Sequence, residues 1–170
     1  MRVGVISLII LLNIIVETTL MPFLKINGIT PDIMAAFIVS FGLLGGNPIA
    51  PIVGLFAGLV YDMTMGAVIG VYAFQYMLIG FIVGSLADKF YVDSFIVPMF
   101  FAFIAILLKE AIMILYAYIS RLDISLFSVL IGRIIPHAIL TAIITPIILY
   151  MMRKLYRYKF MTKKWNFKDS

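Results

Sequence analysis

This sequence predicts an all-α membrane protein built as a six-helix transmembrane bundle. The 170 residues are 64% hydrophobic and 12% charged, whereas a soluble domain is nearer half apolar and a quarter charged. The mean hydropathy is +1.17, and the apolar stretches run along nearly the whole chain. At about 20 to 25 residues per span with short loops, about five to seven spans fit this length.

The first two predicted helices are joined by a polar loop. The first covers Val3–Met21 and is interpreted as a retained span, because it is long for a signal peptide and lacks a small-x-small cleavage site. Thr30 then caps the second helix, Pro31 occupies its first turn, and Asp32 suits its positive end. This helix runs to about Leu44.

The third and fourth helices are predicted to form a tight pair. The turn Gly45–Pro48 precedes the third helix, Ile49–Tyr61. A second turn, Asp62–Gly66, precedes the fourth helix, Ala67–Ala87. The second helix, at about 15 residues, is short for a full span. An alternative interpretation makes the second and third helices a re-entrant pair.

The last two predicted helices are the longest. After the polar connection Asp88–Asp93, the fifth helix covers Phe95–Ile119, and after a short loop the sixth covers Leu126–Met152. Residues 1–152 are therefore predicted to be a transmembrane six-helix domain. Residues 153–170 are predicted to be a basic cytoplasmic tail.

The basic residues predict the orientation in the membrane. Seven of the 13 Lys and Arg residues lie between Arg153 and Lys168. With that tail inside, Arg2 and Lys89 also face the cytoplasm, which makes nine basic residues inside against two outside. The positive-inside rule therefore predicts that both termini are cytoplasmic. The interleaved aromatic residues of the tail suit an anionic lipid surface, and nucleic-acid binding is not predicted.

Small residues recur at helix-packing spacing. The GxxxG pairs are Gly54/Gly58, Gly66/Gly70 and Gly80/Gly84, and Ala138/Ala142 is a further small pair. Small residues let helix backbones approach closely in lipid, where the hydrophobic drive between helices is weak. We interpret these spacings as packing within the chain, with a homodimer or partner face as the alternative.

Charged residues in the last two helices predict an ion pair. Glu110 lies about 13 Å below the outer end of the fifth helix and Arg133 about 10 Å below the start of the sixth, so the two charges meet at similar depth. His137 shares the helical face of Arg133, whereas Lys109 is rotated by about 100 degrees from Glu110 and points elsewhere, towards a cavity or a partner. We favour a structural pair over a proton or substrate path, because no chain of acids crosses the inner half.

Three further carboxylates are predicted near the outer surface. Glu17 ends the first helix, Asp32 begins the second, and Asp62 ends the third. Capping and solvation explain each one alone, and together they could form an outward pocket or a docking site. Carboxylates from three separate segments are weak support for a calcium site.

Catalytic and cofactor motifs are missing from the sequence. It contains no Cys and one His, and has no GxSxG, P-loop or HExxH pattern. Disulfides and thiolate chemistry are therefore excluded. We predict no enzymatic activity, no metal site and no cofactor.

The stretch from Pro31 to Gly84 carries a recognisable pattern. It reads G-x-x-x-G-L-x-x-D-x-x-x-G-x-x-x-G-x-Y from Gly54 to Tyr72, after Pro31-Asp32 at the start of the second helix. This pattern resembles the MreD family of rod shape-determining proteins. The resemblance implies a non-catalytic subunit of the bacterial elongation machinery, working with MreC, MreB, RodA and a class B penicillin-binding protein. It also implies a fold similar to the S components of energy-coupling-factor vitamin transporters.

That fold similarity supplies the alternative function, a vitamin-binding S component. Such a protein typically docks on its coupling subunit through an Ala-x-x-x-Ala pattern in the first helix, and Val3–Met21 contains no alanine. The motif stretch and the charged residues of the last two helices supply the partner-binding or structural candidates. They are Pro31, Asp32, Gly54, Gly58, Asp62, Gly66, Gly70, Tyr72, Glu110, Arg133 and His137.

Overall fold

The computed structural model describes residues 2–19, 25, 28–65, 69–90, 94–120 and 130–156. These residues form six α-helices and no β-strand, which confirms the predicted all-α class. The helices are α1 Arg2–Thr19, α2 Ile33–Gly45, α3 Ile49–Met65, α4 Val71–Leu86, α5 Ile96–Ile119 and α6 Ile135–Tyr156. A 3-10 turn, Ala87–Lys89, extends α4, and a π-helical turn, Leu130–Ile134, leads into α6.

Two segments are long and apolar enough to cross a membrane. They are Ile96–Ile119 and Gly132–Tyr156. The other four helices are apolar but shorter, at 13 to 18 residues. About 20 apolar residues are needed for an untilted span, so length alone identifies only α5 and α6.

The start of α2 differs from its prediction. Asp32, not Thr30, is the N-cap, and its side chain accepts a hydrogen bond from the backbone N–H of Ala35 at 2.7 Å. Pro31 is buried and precedes the helix. Asp32 displaces Thr30 from the capping position because a carboxylate bonds the first free N–H groups and also complements the positive end of the helix dipole.

The turn between α3 and α4 is also displaced along the chain. α3 continues through Asp62 to Met65, where the Thr64 hydroxyl donates back to the carbonyls of Val60 and Tyr61 at 3.0 and 3.1 Å. The predicted turn residue Gly66 lies outside the described residues. Gly70 has φ +103°, a conformation that a side chain would strain. It therefore stops α4 from beginning as early as predicted.

The last helix runs four residues beyond its predicted end, to Tyr156. Arg153 and Lys154 lie in its final turn, where positive charge is favourable at the negative end of the helix dipole. The first four residues of the predicted tail are therefore helical, and its remainder, from 157 onward, lies outside the described residues.

α2 is the central helix of the bundle. It packs against each of the other five helices, and every residue from Met34 to Leu43 is buried. A helix that is apolar on all sides is expected in such an interior position. Its short length is therefore consistent with enclosure by protein.

α3 and α4 pack closely through their glycines. A Cβ atom at Gly54 would lie 2.2 Å from the Tyr76 carbonyl oxygen, and one at Gly58 would lie 2.4 Å from the Ala73 Cα. On the other helix, a Cβ at Gly80 would lie 2.6 Å from the Ala50 carbonyl oxygen. These contacts support the interpretation of the glycine spacings as packing within the chain.

Candidate functional site

The carboxylate of Asp32 is the centre of a buried polar network. The side chain accepts the Ala35 N–H, and the Tyr76 hydroxyl lies 3.2 Å from both carboxylate oxygens. The Lys109 ammonium forms an ion pair with it. The backbone N–H of Asp32 donates to the Thr141 hydroxyl at 3.0 Å. Asp32 is 3% exposed, so these groups replace water as its hydrogen-bond partners.

Lys109 is buried among aromatic rings as well as beside the carboxylate. Its Nζ lies 5.1 Å from the ring centroid of Tyr72 and 5.2 Å from that of Tyr76. Both distances are within the range of cation–π attraction. The prediction that Lys109 points away from Glu110 is confirmed, and Asp32 is its partner. Pairing is required here because an isolated charge within the membrane costs several kcal/mol by order of magnitude.

Three tyrosine rings and a second carboxylate adjoin the ion pair. The rings of Tyr61, Tyr72 and Tyr76 lie with centroids 4.9 to 6.1 Å apart. The Tyr61 hydroxyl donates to Glu17 Oε1 at 3.4 Å. The other oxygen, Glu17 Oε2, is buried and has no hydrogen-bond partner within the described residues. Glu17 also interacts electrostatically with Asp32 and Lys109.

Each of the six helices contributes to this network, which we call the polar hub. Its members, in chain order, are Glu17, Asp32, Tyr61, Tyr72, Tyr76, Lys109 and Thr141. The hub lies towards the end of the bundle where α1 and α3 finish and where α2 and α4 begin. Chemically, it holds one ammonium and two carboxyl groups within a shell of tyrosines, and it ties all six helices together.

Asp62 performs a separate structural task. Its carboxylate accepts the backbone N–H groups of Gly70, Tyr72 and Ala73 at 2.9, 3.1 and 3.0 Å. The free N–H groups at the start of α4 are thus satisfied by a side chain from α3. The Asp62 residue is 2% exposed.

The structure divides the predicted cluster of outer carboxylates. Glu17 and Asp32 come together in the polar hub, whereas Asp62 bonds the first turn of α4. Solvation was the wrong explanation for Asp32 and Asp62, because both are buried. Within the described residues no group of three or more His, Cys, Asp or Glu side chains is placed to hold a metal ion.

The predicted ion pair between Glu110 and Arg133 is wrong. Glu110 Oε1 lies 3.0 Å from Nδ1 of His137, and both side chains are about 15% exposed. Arg133 is exposed and belongs to the π-helical turn before α6. A π turn holds more residues than an α turn, so the regular α-helical spacing that places Arg133 opposite Glu110 does not apply there. Arg133 acts on Glu110 electrostatically but forms no ion pair with it. His137, within α6 itself, meets Glu110 instead.

A small cavity lies at the opposite end of the bundle from the hub. It has a volume of about 40 Å³ and is lined by residues of α5 and α6 that include Pro98, Pro146 and Tyr150. Pockets that enclose small-molecule ligands are typically about 300 Å³ or larger. This cavity therefore has room for water, not for a vitamin-sized ligand.

The comparisons with known proteins identify the family. The family model described as rod shape-determining protein MreD matches residues 1–159. The chain belongs to the MreD family. The match spans all six helices and confirms the resemblance drawn from the motif. The chain is therefore a rod shape-determining membrane protein. Neither the curated proteins nor the solved structures that were compared include a match.

Several hub residues were missed as site candidates by sequence reasoning. They are Tyr61, which lies within the glycine motif, Tyr76, which follows it, and Thr141. The sequence nevertheless holds two signals of the hub. A lysine in an apolar helix needs a counter-charge, and the i, i+4 pair Tyr72 and Tyr76 marks one aromatic face of α4.

Proposed function

We propose that this MreD-family chain is a non-catalytic subunit of the bacterial cell-wall elongation complex that acts by binding an MreC-like protein. The observation that carries the proposal is the ion pair between Asp32 and Lys109. The charged side chains and hydroxyl groups of the hub bond one another and tie the helices together. This use suits a scaffold whose task is to hold a binding surface in shape.

The binding surface in this proposal is formed by α3, α4 and the residues that fix them. Gly54 and Gly58 allow the close contact of the two helices, and Asp62 holds the start of α4. The remaining contributors are Pro31, Asp32, Gly66, Gly70 and Tyr72. Through MreC, the complex would include MreB, RodA and a class B penicillin-binding protein, and a homodimer is a further possible assembly.

The proposed topology is six spans with both termini in the cytoplasm of the bacterial cell. Nine basic residues lie on the proposed inner side and two on the proposed outer side, and this excess supports the orientation. The four shorter helices would reach across by local thinning of the bilayer or by enclosure within the bundle. A fold similar to that of the transporter S components is part of the same proposal.

Co-purification tests the proposed function directly. The tagged chain, expressed with an MreC-like protein and extracted in mild detergent, is expected to retain that protein through affinity and size-exclusion steps. A tagged, unrelated membrane protein of similar size is the control. Loss of the MreC-like protein at the first step, together with tight vitamin binding by the purified chain, would instead favour the S-component alternative.

A further inference from the structure

We propose that Asp32, Tyr72 and Tyr76 form a binding cage for a primary ammonium ion, and that Lys109 occupies this cage as a tethered ligand. The cage supplies a carboxylate, a hydroxyl and two ring faces around one nitrogen. A carboxylate with aromatic faces is the combination that recognises organic cations. This inference adds a ligand class to the hub and does not depend on the proposed partner.

The walls of the cage are held by contacts that do not involve Lys109. Asp32 is fixed by Ala35 on its own helix and by Thr141 of α6. Tyr76 is fully buried and packs against the Tyr61 ring at 5.9 Å. Removal of the lysine side chain would therefore leave a preorganised site, and preorganised sites bind with less loss of conformational entropy.

The hydrogen-bonding groups favour a primary amine. An ammonium has three N–H donors. Lys109 contacts the Asp32 carboxylate and lies 3.4 Å from the Tyr76 hydroxyl. Glu17 Oε2 is the candidate third acceptor, because it is buried, lacks a hydrogen-bond partner within the described residues and belongs to a side chain that interacts electrostatically with Lys109. A free alkylammonium is not attached to the backbone of α5, so it could donate to all three acceptors. A quaternary ammonium has no N–H to donate.

Chemical rescue of Lys109→Ala by propylammonium tests the cage. Propylammonium restores the three carbons and the nitrogen that the substitution removes beyond Cβ. The thermal unfolding temperature of the purified variant in detergent is expected to rise by several degrees with millimolar propylammonium. Wild-type protein, whose cage is filled, should show no such rise. Propanol and tetramethylammonium, which lack the ammonium donors, should not stabilise the variant.

Second variants separate binding in the cage from a general effect of amines. Asp32→Asn in the Lys109→Ala background should weaken propylammonium binding about tenfold or more, since it removes the charged acceptor. Glu17→Gln in that background should also weaken it. If Lys109→Ala cannot be recovered folded, extraction in propylammonium is expected to recover it. The proposal would be overturned by an equal rise in the unfolding temperature of wild-type protein, or by the lack of rescue both in the purified variant and during extraction.

Discussion

Lys109 of α5 forms a buried ion pair with Asp32, which lies 77 positions earlier in the chain at the start of α2. The pair explains how a 24-residue apolar helix carries a lysine within its length. The ammonium is bonded and covered by aromatic rings, so neither charge meets lipid. Because the contact joins one point of α5 to the start of α2, it also favours one register of α5 against α2.

Neutralising one member of this pair is expected to destabilise the protein strongly. Lys109→Met keeps the side-chain volume but leaves the Asp32 carboxylate buried without its counter-charge. We expect the free energy of unfolding to fall by about 3–5 kcal/mol, the usual cost of breaking a buried pair. Reversible unfolding in mixed detergent, followed by circular dichroism, measures the change.

The double variant Asp32→Asn, Lys109→Met is the decisive comparison. It removes both charges, so most of the lost stability should return. Lys25→Met, at an exposed lysine, should change stability by less than about 0.5 kcal/mol. A double variant that is no more stable than Lys109→Met would show that the charges do not interact as described.

The pair formed by Glu110 and His137 is expected to matter less. Both side chains are partly exposed, and Glu110→Gln should cost about 1 kcal/mol. His137→Gln should cost a similar amount, with little added effect in the double variant, whereas Arg133→Gln should stay within about 0.5 kcal/mol. Melting curves of wild-type protein, the three single variants and the two double variants that combine Glu110→Gln with each of the other substitutions test this assignment. Stronger coupling of Glu110 to Arg133 than to His137 would contradict it.

The helices were predictable where their ends depend on local chemistry. The turn predicted at Gly45–Pro48 is present between α2 and α3, with Gly45 as the last residue of α2, and α5 begins one residue from its predicted start and ends as predicted at Ile119. Glycine and proline act on their own backbone, so they leave a signal in the sequence itself. The displaced start of α4 has a local and a distant cause. Gly70 interrupts the helix through its own backbone, whereas Asp62 reaches across from α3 to bond the N–H groups there.

The polar hub could not be assembled from the sequence because its contacts are distant along the chain. Predicting that Lys109 faces away from Glu110 required only the helical period. Choosing Asp32 as its partner requires knowing that α2 lies at the centre of the bundle. The pairing of Glu110 failed for another reason, because regular α-helical spacing was assumed where the chain forms a π turn at Leu130–Ile134.

Asp62 is expected to determine the stability of the first turn of α4. Asp62→Ala removes the acceptor of three backbone N–H groups and should cost about 2 kcal/mol. Hydrogen exchange should accelerate at the amides of Gly70, Tyr72 and Ala73. Thr64→Val, which removes an exposed hydroxyl bonded only within α3, is the matched control. Unchanged exchange at those three amides would contradict the capping role.

The proposed topology predicts where reporter enzymes are active. A fusion after Ser170 should be active with a reporter that works in the cytoplasm and inactive with one that works only outside, because the basic residues hold both termini inside. A fusion within the connection around Arg121 should give the opposite pattern. Activity of the outside-only reporter after Ser170 would exclude the six-span arrangement with cytoplasmic ends.

The contact between α3 and α4 is expected to control partner binding. Gly58→Leu places a large side chain where even a Cβ would lie 2.4 Å from the Ala73 Cα, so the helices must separate and the surface they present must change. We expect the variant to insert into the membrane but to lose most of the MreC-like protein during co-purification. Gly132→Leu is the matched control, because a Cβ there meets no atom of the described residues within 4 Å, and it should retain the partner. If Gly58→Leu and wild-type protein recover equal amounts of the partner at equal membrane levels, the close contact of α3 and α4 is not required for partner binding.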